Sequence, residues 1–266
     1  MPTNGVPLKM DTLACPRVIQ LETTTRCNLR CAMCAAKKSP VRRADMPEPL
    51  YARIVADLAR HADKIETLCL FMDGEPLLDK RLPRFISLAK SAGLKTVSIA
   101  TNGMCLTAET GDALLEAGLD AMIVSVDSLN PETYAAIRVG GDLRRVTENL
   151  LDFMARRKAA GKGLPHVTVR LIEMPENLAE RESFRKYWQE RVDEVVFQPL
   201  HHWGRDTGEA PAAAAARMRC NWPFRNMVIY SDGRAGFCCL DYEGIYDLGD
   251  FTRSTLDEIW HGAAYR

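Results

Sequence analysis

Short apolar runs alternate along this chain with longer segments in which apolar residues recur at helical spacing. The runs are RVIQLETT (17–24), ETLCLFM (66–72), KTVSIAT (95–101), AMIVSVD (121–127), VTVRLI (167–172) and EVVFQPL (194–200). Each has the length of a buried parallel strand. PEPLYARIVADLARHA precedes the second run and KRLPRFISLAKSAG the third; TAETGDALLEAG precedes the fourth, LRRVTENLLDFMARRKAAG the fifth and ERESFRKYWQERV the sixth. Gly93, Gly118 and Gly161 stand where these amphipathic helices end, as C-terminal caps. Six strands alternating with helices predict an α/β fold with a parallel sheet, either doubly wound or an incomplete barrel. In both cases chemistry belongs at the C-terminal ends of the strands.

The pattern changes after residue 200. HHWGRDTGEAPAAAAARM reads as a linker or surface loop, with Ala212–Ala216 able to form a short helix. MVIYSDGRAGFCC reads as a hairpin turning at Asp232-Gly233, and STLDEIWHG opens with a helix N-cap at Ser254 or Thr255. The expected division is a core over 1–205 and a small hairpin and helix extension over 206–266.

Composition fits a globular protein of 266 residues, with 47% apolar and 26% charged residues. The 35 basic and 35 acidic residues cancel, so no footprint for nucleic acid or an anionic membrane is present. No run approaches the roughly 18 apolar residues of a transmembrane helix. MPTNGVPLKMDTLACP lacks the plan of a secretory signal, so a cytoplasmic location is expected. Nine cysteines are many for a reducing compartment, which favours metal binding or catalysis over disulfides.

Cys27-Asn-Leu-Arg-Cys31-Ala-Met-Cys34 directly follows the first strand. Three thiolates on one loop can converge on a metal centre, and soft thiolates select zinc or iron–sulfur clusters. Structural zinc usually takes a fourth protein ligand, and none stands near. Four-iron clusters normally take four cysteines, so three leave one iron open to an outside ligand. The other classes open at this point are a structural zinc protein and a redox iron–sulfur protein.

A C-x3-C-x2-C loop after the first strand of a six-fold β/α repeat resembles the radical S-adenosylmethionine (SAM) superfamily over about residues 17–200. The resemblance implies a partial (β/α)6 TIM-like barrel. It also implies a 4Fe-4S cluster on Cys27, Cys31 and Cys34 that cleaves SAM to a 5′-deoxyadenosyl radical, which takes hydrogen from a substrate. Asp73-Gly74-Glu75-Pro76 resembles the family's G-G-E-P segment, which binds the SAM amino group; Asp73 stands for its first glycine. Asn102, Ser125 and Asp127 fall where the family lines its ribose and carboxylate pocket, and Met33 falls where an adenine neighbour is expected. Arg170, inside an apolar strand, could fork onto the methionine carboxylate.

Cys220, Cys238 and Cys239 bracket the hairpin in a stretch that looks like the start of a SPASM or twitch extension, which implies an auxiliary iron–sulfur cluster. That family supplies further cysteines after its final I-W segment; none follows Ile259-Trp260 here. Cys69 reads as core, Cys15 and Cys105 lack a clear partner, and His201 or His202 could face substrate. The expected reaction is oxidation or epimerisation of a small polar molecule such as a sugar or aminocyclitol, with a peptide- or protein-modifying reaction as the alternative. The implied partners are that substrate and a reduced donor such as flavodoxin or ferredoxin.

Overall fold

The computed structural model describes residues 12–35, 44–200 and 220–265. The elements run β1 (Val18–Leu21), α1 (Glu48–Ala59), β2 (Thr67–Cys69), α2 (Leu82–Ser91), β3 (Thr96–Thr101) and α3 (Ala108–Ala117). They continue β4 (Ala121–Ser125), α4 (Pro131–Ile137), α5 (Leu143–Ala159), β5 (His166–Glu173), α6 (Arg181–Trp188) and β6 (Glu194–Pro199). The chain closes with β7 (Asn226–Ile229), β8 (Ala235–Gly236) and α7 (Leu256–Trp260). All six predicted strands, the five helices predicted between them and the helix after Thr255 are present, while the short helix that Ala212–Ala216 could form lies outside the described residues. Gly93, Gly118 and Gly161 follow helix ends with φ of +86°, +81° and +64°, a region that a residue with a Cβ seldom enters. Helix α4 was not predicted, although Asn130 caps it and Pro131 occupies its first turn.

Strands β1 to β6 are parallel neighbours in consecutive order. Right-handed crossovers between consecutive strands place every helix on the same face. Burial along the strands shows the result. Ile19, Leu68, Val97, Ile99, Met122, Val124, Val167, Val169 and Leu171 point to the helix side and are fully sealed. The alternate positions Gln20, Cys69, Ile123, Arg170 and Gln198 are only half-buried. The sheet is an open half-barrel, which decides between the two predicted architectures.

The hairpin differs from expectation in two ways. Asp232-Gly233 lies in a three-residue loop: Tyr230 and Arg234 still pair through the backbone at 2.9 Å, and Gly233 takes φ +94°. More important, β7 lies parallel beside β1, with Val18 opposite Asn226 and Leu21 opposite Ile229. The extension therefore prolongs the core sheet. Glu22, at the end of β1, is buried and accepts a hydrogen bond from the Ser231 amide at 3.2 Å. Helix α7 starts with a capping box between Thr255 and Glu258. It is pinned by the Leu256 amide on Asp57 Oδ2 (2.6 Å) and by Trp260 Nε1 on the Leu13 carbonyl (2.6 Å).

Candidate active site at the open rim

The C-terminal ends of the parallel strands form one rim, and the cysteine loop sits on it after β1. Cys27 is exposed, Cys34 half-buried and Cys31 buried. Although the residue is exposed, partial desolvation of its sulfur comes first in pushing the Cys27 thiol up, and the charges of Glu75, Cys31 and Cys34 add to the rise. The three thiols thus feel one another. Among the described residues no three ligating side chains close around a single-ion position. A four-iron cubane is larger than one ion and needs its thiolates further apart.

The loop after β2 is pressed against the backbone that leads into Cys27. A Cβ on Gly74 would lie 2.0 Å from the Thr24 carbonyl oxygen, so only glycine fits. The Glu75 amide donates to the Arg26 carbonyl at 2.7 Å. The Glu75 side chain is buried and both oxygens are taken. Oε1 accepts from the Thr101 hydroxyl (2.6 Å) and the Leu77 amide (3.1 Å), and Oε2 from the Asn102 amide (2.7 Å). Burial pushes this carboxyl up, and those three donors oppose the rise. Asn102 in turn donates from Nδ2 to Asn28 Oδ1 at 2.8 Å, within the cysteine loop, while its Oδ1 accepts from the Met104 amide at 3.0 Å. Pro76 is buried beneath this turn.

Asp127 is fully buried and is the described non-glycine residue with positive φ, +62°. Its Oδ1 accepts from the Ile172 amide (2.6 Å), its Oδ2 faces Arg138 Nε (2.5 Å), and its carbonyl accepts from Asn177 Nδ2 (2.8 Å). Glu75, Asn102 and Asp127 thus spend their polar atoms joining strand ends. Sequence reasoning assigned them directly to SAM; the structure gives them scaffold bonds as well. It also adds Arg138, Asn28 and Asn177, which sequence reasoning passed over, and gives Thr101, at the Asn-Gly strand end, a bond to Glu75. For Arg138 the missed signal was helix α4, which it terminates.

Arg170 is different. Nη2 reaches Ser125 Oγ (3.1 Å) and Nη1 reaches Gln198 Oε1 (3.3 Å), while Nε is buried with no partner. Among the described residues no carboxylate lies within ion-pair distance. Burial first, and then the Arg138 charge, hold this guanidinium below its ordinary value. A half-buried guanidinium with its Nε sealed off and no carboxylate beside it is a ready receptor for a carboxylate. Met33 is half-buried on the cysteine loop.

Cys220 is exposed, and Cys238 and Cys239 are half-buried. The Cys239 thiol donates to Cys238 and draws it down to about 6, while Cys239 itself is pushed up; the charge of Cys220 adds to that rise. These three cysteines therefore also lie within electrostatic reach. Cys15 is in the core, Cys69 bonds Ser98, and Cys105 packs at the core's edge. His201 and His202 lie outside the described residues. A groove of about 250 Å³ between α1 and residues 251–255 is lined by none of the site residues.

A half-barrel carrying a three-thiol loop at its rim is the framework of an iron–sulfur radical enzyme. Residues 21–187 match the radical SAM superfamily, and the chain belongs to it. Residues 220–266 match the SPASM iron-sulfur cluster-binding domain. Membership carries a 4Fe-4S cluster and SAM as cofactors, and the second match carries further iron–sulfur binding. It sets aside the non-catalytic zinc reading. The GTP 3′,8-cyclase of Alkaliphilus oremlandii is 29% identical over 201 residues, 71% of this chain and 59% of that protein. The one from Chlorobaculum tepidum is 32% identical over 155 residues, 58% of this chain and 43% of that protein. The chain thus spans about half the length of these relatives. The solved structure of BtrN in complex with AdoMet and 2-DOIA superposes with TM-score 0.66 at 20% identity, covering 96% of this chain and 85% of that one. Streptococcus suis SuiB bound to precursor peptide SuiA gives TM-score 0.73 at 13% identity, covering 96% and 66%. These likenesses concern the fold. No helix among the described residues is long and apolar enough to cross a membrane.

Proposed function

We propose that Cys27, Cys31 and Cys34 hold the 4Fe-4S cluster and that Gly74, Glu75, Pro76, Asn102, Ser125, Asp127, Arg170 and Met33 surround SAM. The observation that carries this is the knitting of the cysteine loop to the ends of β2, β3 and β4. Gly74 closes on Thr24, Asn102 bonds Asn28, and Arg138 reaches Cys31. Three thiols, a glycine-only cradle and a half-buried guanidinium without a carboxylate partner suit a cluster whose fourth iron would take an amino acid's amine and carboxylate. A cluster held by Cys27, Cys31 and Cys34 would supply the one-electron chemistry that cleaves SAM and so the means of hydrogen abstraction from substrate. The chain's own part is to fix the loop, to offer Arg170 to the methionine carboxylate, and to seal one side of the sheet against water.

The substrate is read as a small polar molecule that is oxidised or epimerised. The polar inner face, with Gln20 and Gln198 half-buried and Ser98 and Thr168 buried, supports this. The BtrN likeness, to an enzyme solved with AdoMet and 2-DOIA, covers 85% of that chain. Two other readings have their own support. Cyclisation of GTP follows the printed names of the sequence relatives. Peptide modification follows the SuiB–SuiA and anSMEcpe–peptide structures. Cys220, Cys238 and Cys239 are proposed to hold an auxiliary cluster in a region spanning 206–266, beside a core over 1–205. A small reduced iron–sulfur or flavin protein would deliver the electron.

The test is anaerobic reconstitution of the full chain, with iron counting and dithionite-driven cleavage of SAM. The reading expects 5′-deoxyadenosine from the native protein and none from Cys31→Ala. Cleavage that survives Cys31→Ala would overturn the cluster assignment. Deuterated polyols, GTP and peptides then separate the substrates by which one passes deuterium to 5′-deoxyadenosine.

A further inference from the structure

We infer that Arg138 positions the Cys31 sulfur and raises the reduction potential of the cluster at Cys27, Cys31 and Cys34. This rests on the cluster assignment proposed above. Arg138 terminates α4 and is 9% exposed. Its guanidinium divides between two partners. Nε meets Asp127 Oδ2 at 2.5 Å, and Nη1 points at Cys31 Sγ at 3.5 Å. The backbone on either side of Arg138 is tied to the cysteine loop as well. The Ala32 amide donates to the Ile137 carbonyl at 2.9 Å, and the Arg30 amide to the Val139 carbonyl at 2.8 Å. Cys31 is thus bracketed by two backbone bonds with the cation between them.

Asp127 is the anchor of this arrangement. Its left-handed backbone is held by Asn177 Nδ2 on the carbonyl, and its carboxylate by the Ile172 amide on Oδ1. A second lock lies one residue on, where Glu180 accepts from the Ser128 hydroxyl (2.8 Å) and the Leu129 amide (2.6 Å). The guanidinium therefore arrives at Cys31 with little freedom left. Cys27 has a weaker donor, the neutral Leu29 amide at 3.5 Å. A buried cation with an N–H on a ligand sulfur favours the state carrying one more electron, because that state is more negative. Asp127 offsets part of the charge but cannot remove the directed N–H. Lysine cannot copy the arrangement, since its ammonium is one point and the guanidinium presents separate edges to carboxylate and sulfur.

The experiment uses the full chain, reconstituted with iron and sulfide and without SAM, and reads potential and spectrum rather than turnover. Dithionite supplies the single electron. Arg138→Gln is expected to cut the ratio of reduced to oxidised cluster about tenfold at fixed ambient potential, which is about 59 mV for one electron; Arg138→Lys falls between. Because either variant could lose its cluster, wild-type protein grown on [15N]arginine gives a second measurement. Pulsed EPR of its reduced cluster should show a weakly coupled nitrogen whose frequencies change with the label. Four irons and a normal EPR signal, with potentials unchanged in both variants or a nitrogen pattern blind to the label, overturn the role of Arg138 alone. A wild-type protein that assembles no such cluster overturns the assignment beneath it.

Discussion

The carboxylate of Glu75 closes on the backbone amide of Asn102 at 2.7 Å, joining the ends of β2 and β3 beneath the cysteine loop. Its other oxygen takes the Thr101 hydroxyl and the Leu77 amide. In Glu75→Gln an NH2 faces a donor whichever way the amide turns. That leaves a buried N–H without a partner and costs about 2–3 kcal/mol. Urea unfolding should show the loss, and Glu75→Asp, too short to span both strands, should not recover it.

Gly74→Ala is expected to be severe. The added Cβ would stand 2.0 Å from a backbone oxygen of Thr24, which has no flexible end to give way. Overpacking of this kind costs about 3 kcal/mol or more. Iron content after reconstitution should fall with it, because Thr24 leads directly into Cys27. Full iron loading and wild-type stability would show that the loop can retreat.

Asp193 gives the fold an acid-labile joint. Its carboxylate pairs with Arg157 (Nη2 at 2.9 Å) and accepts the Val167 amide at 2.7 Å. The Arg157 bond, helped by the Val167 amide and opposed by burial, holds it below its ordinary value near 3.8. The folded state therefore binds its proton less readily than the unfolded chain. Its stabilisation is complete above that ordinary value and is lost as pH falls through the depressed one. Asp193→Asn should be less stable at pH 7 by about 1 kcal/mol, allowing for its contact with water. The gap should close in strong acid; a gap independent of pH would show that the charge is not the cause.

Replacing Cys220 and Cys238 together by serine should spare dithionite-driven cleavage of SAM while abolishing substrate turnover. The expectation follows from their separation in the chain from the first cluster's loop. Loss of 5′-deoxyadenosine in that variant would show that the two thiol groups serve one site.

The elements were legible wherever local pattern decided them. VTVRLI, VSIAT and their counterparts are short, mostly apolar and mostly buried runs, and Gly93, Gly118 and Gly161 mark helix ends through a backbone need of their own. The cysteine loop was legible for the same reason, since its three thiols are neighbours in sequence. What stayed hidden depends on distance along the chain. Arg138 is 107 residues from Cys31, and nothing near it in sequence announces that contact. Glu75, Asn102 and Asp127 were picked out as polar residues at strand ends, but which donors would occupy them depends on the packing of adjacent loops. The place of β7 beside β1 was equally out of reach, because a strand's pattern does not name its neighbour.

That placement has a consequence for how the molecule breathes. Without β7, β1 would be an outer strand with one row of amides bare to solvent, and the cysteine loop would hang from a frayed edge. With Val18–Leu21 paired to Asn226–Ile229, β1 becomes an interior strand. Slow hydrogen exchange at β1 therefore lasts only while the hairpin stays docked. The rigidity of the first thiol loop is borrowed from a segment some 200 residues away in sequence.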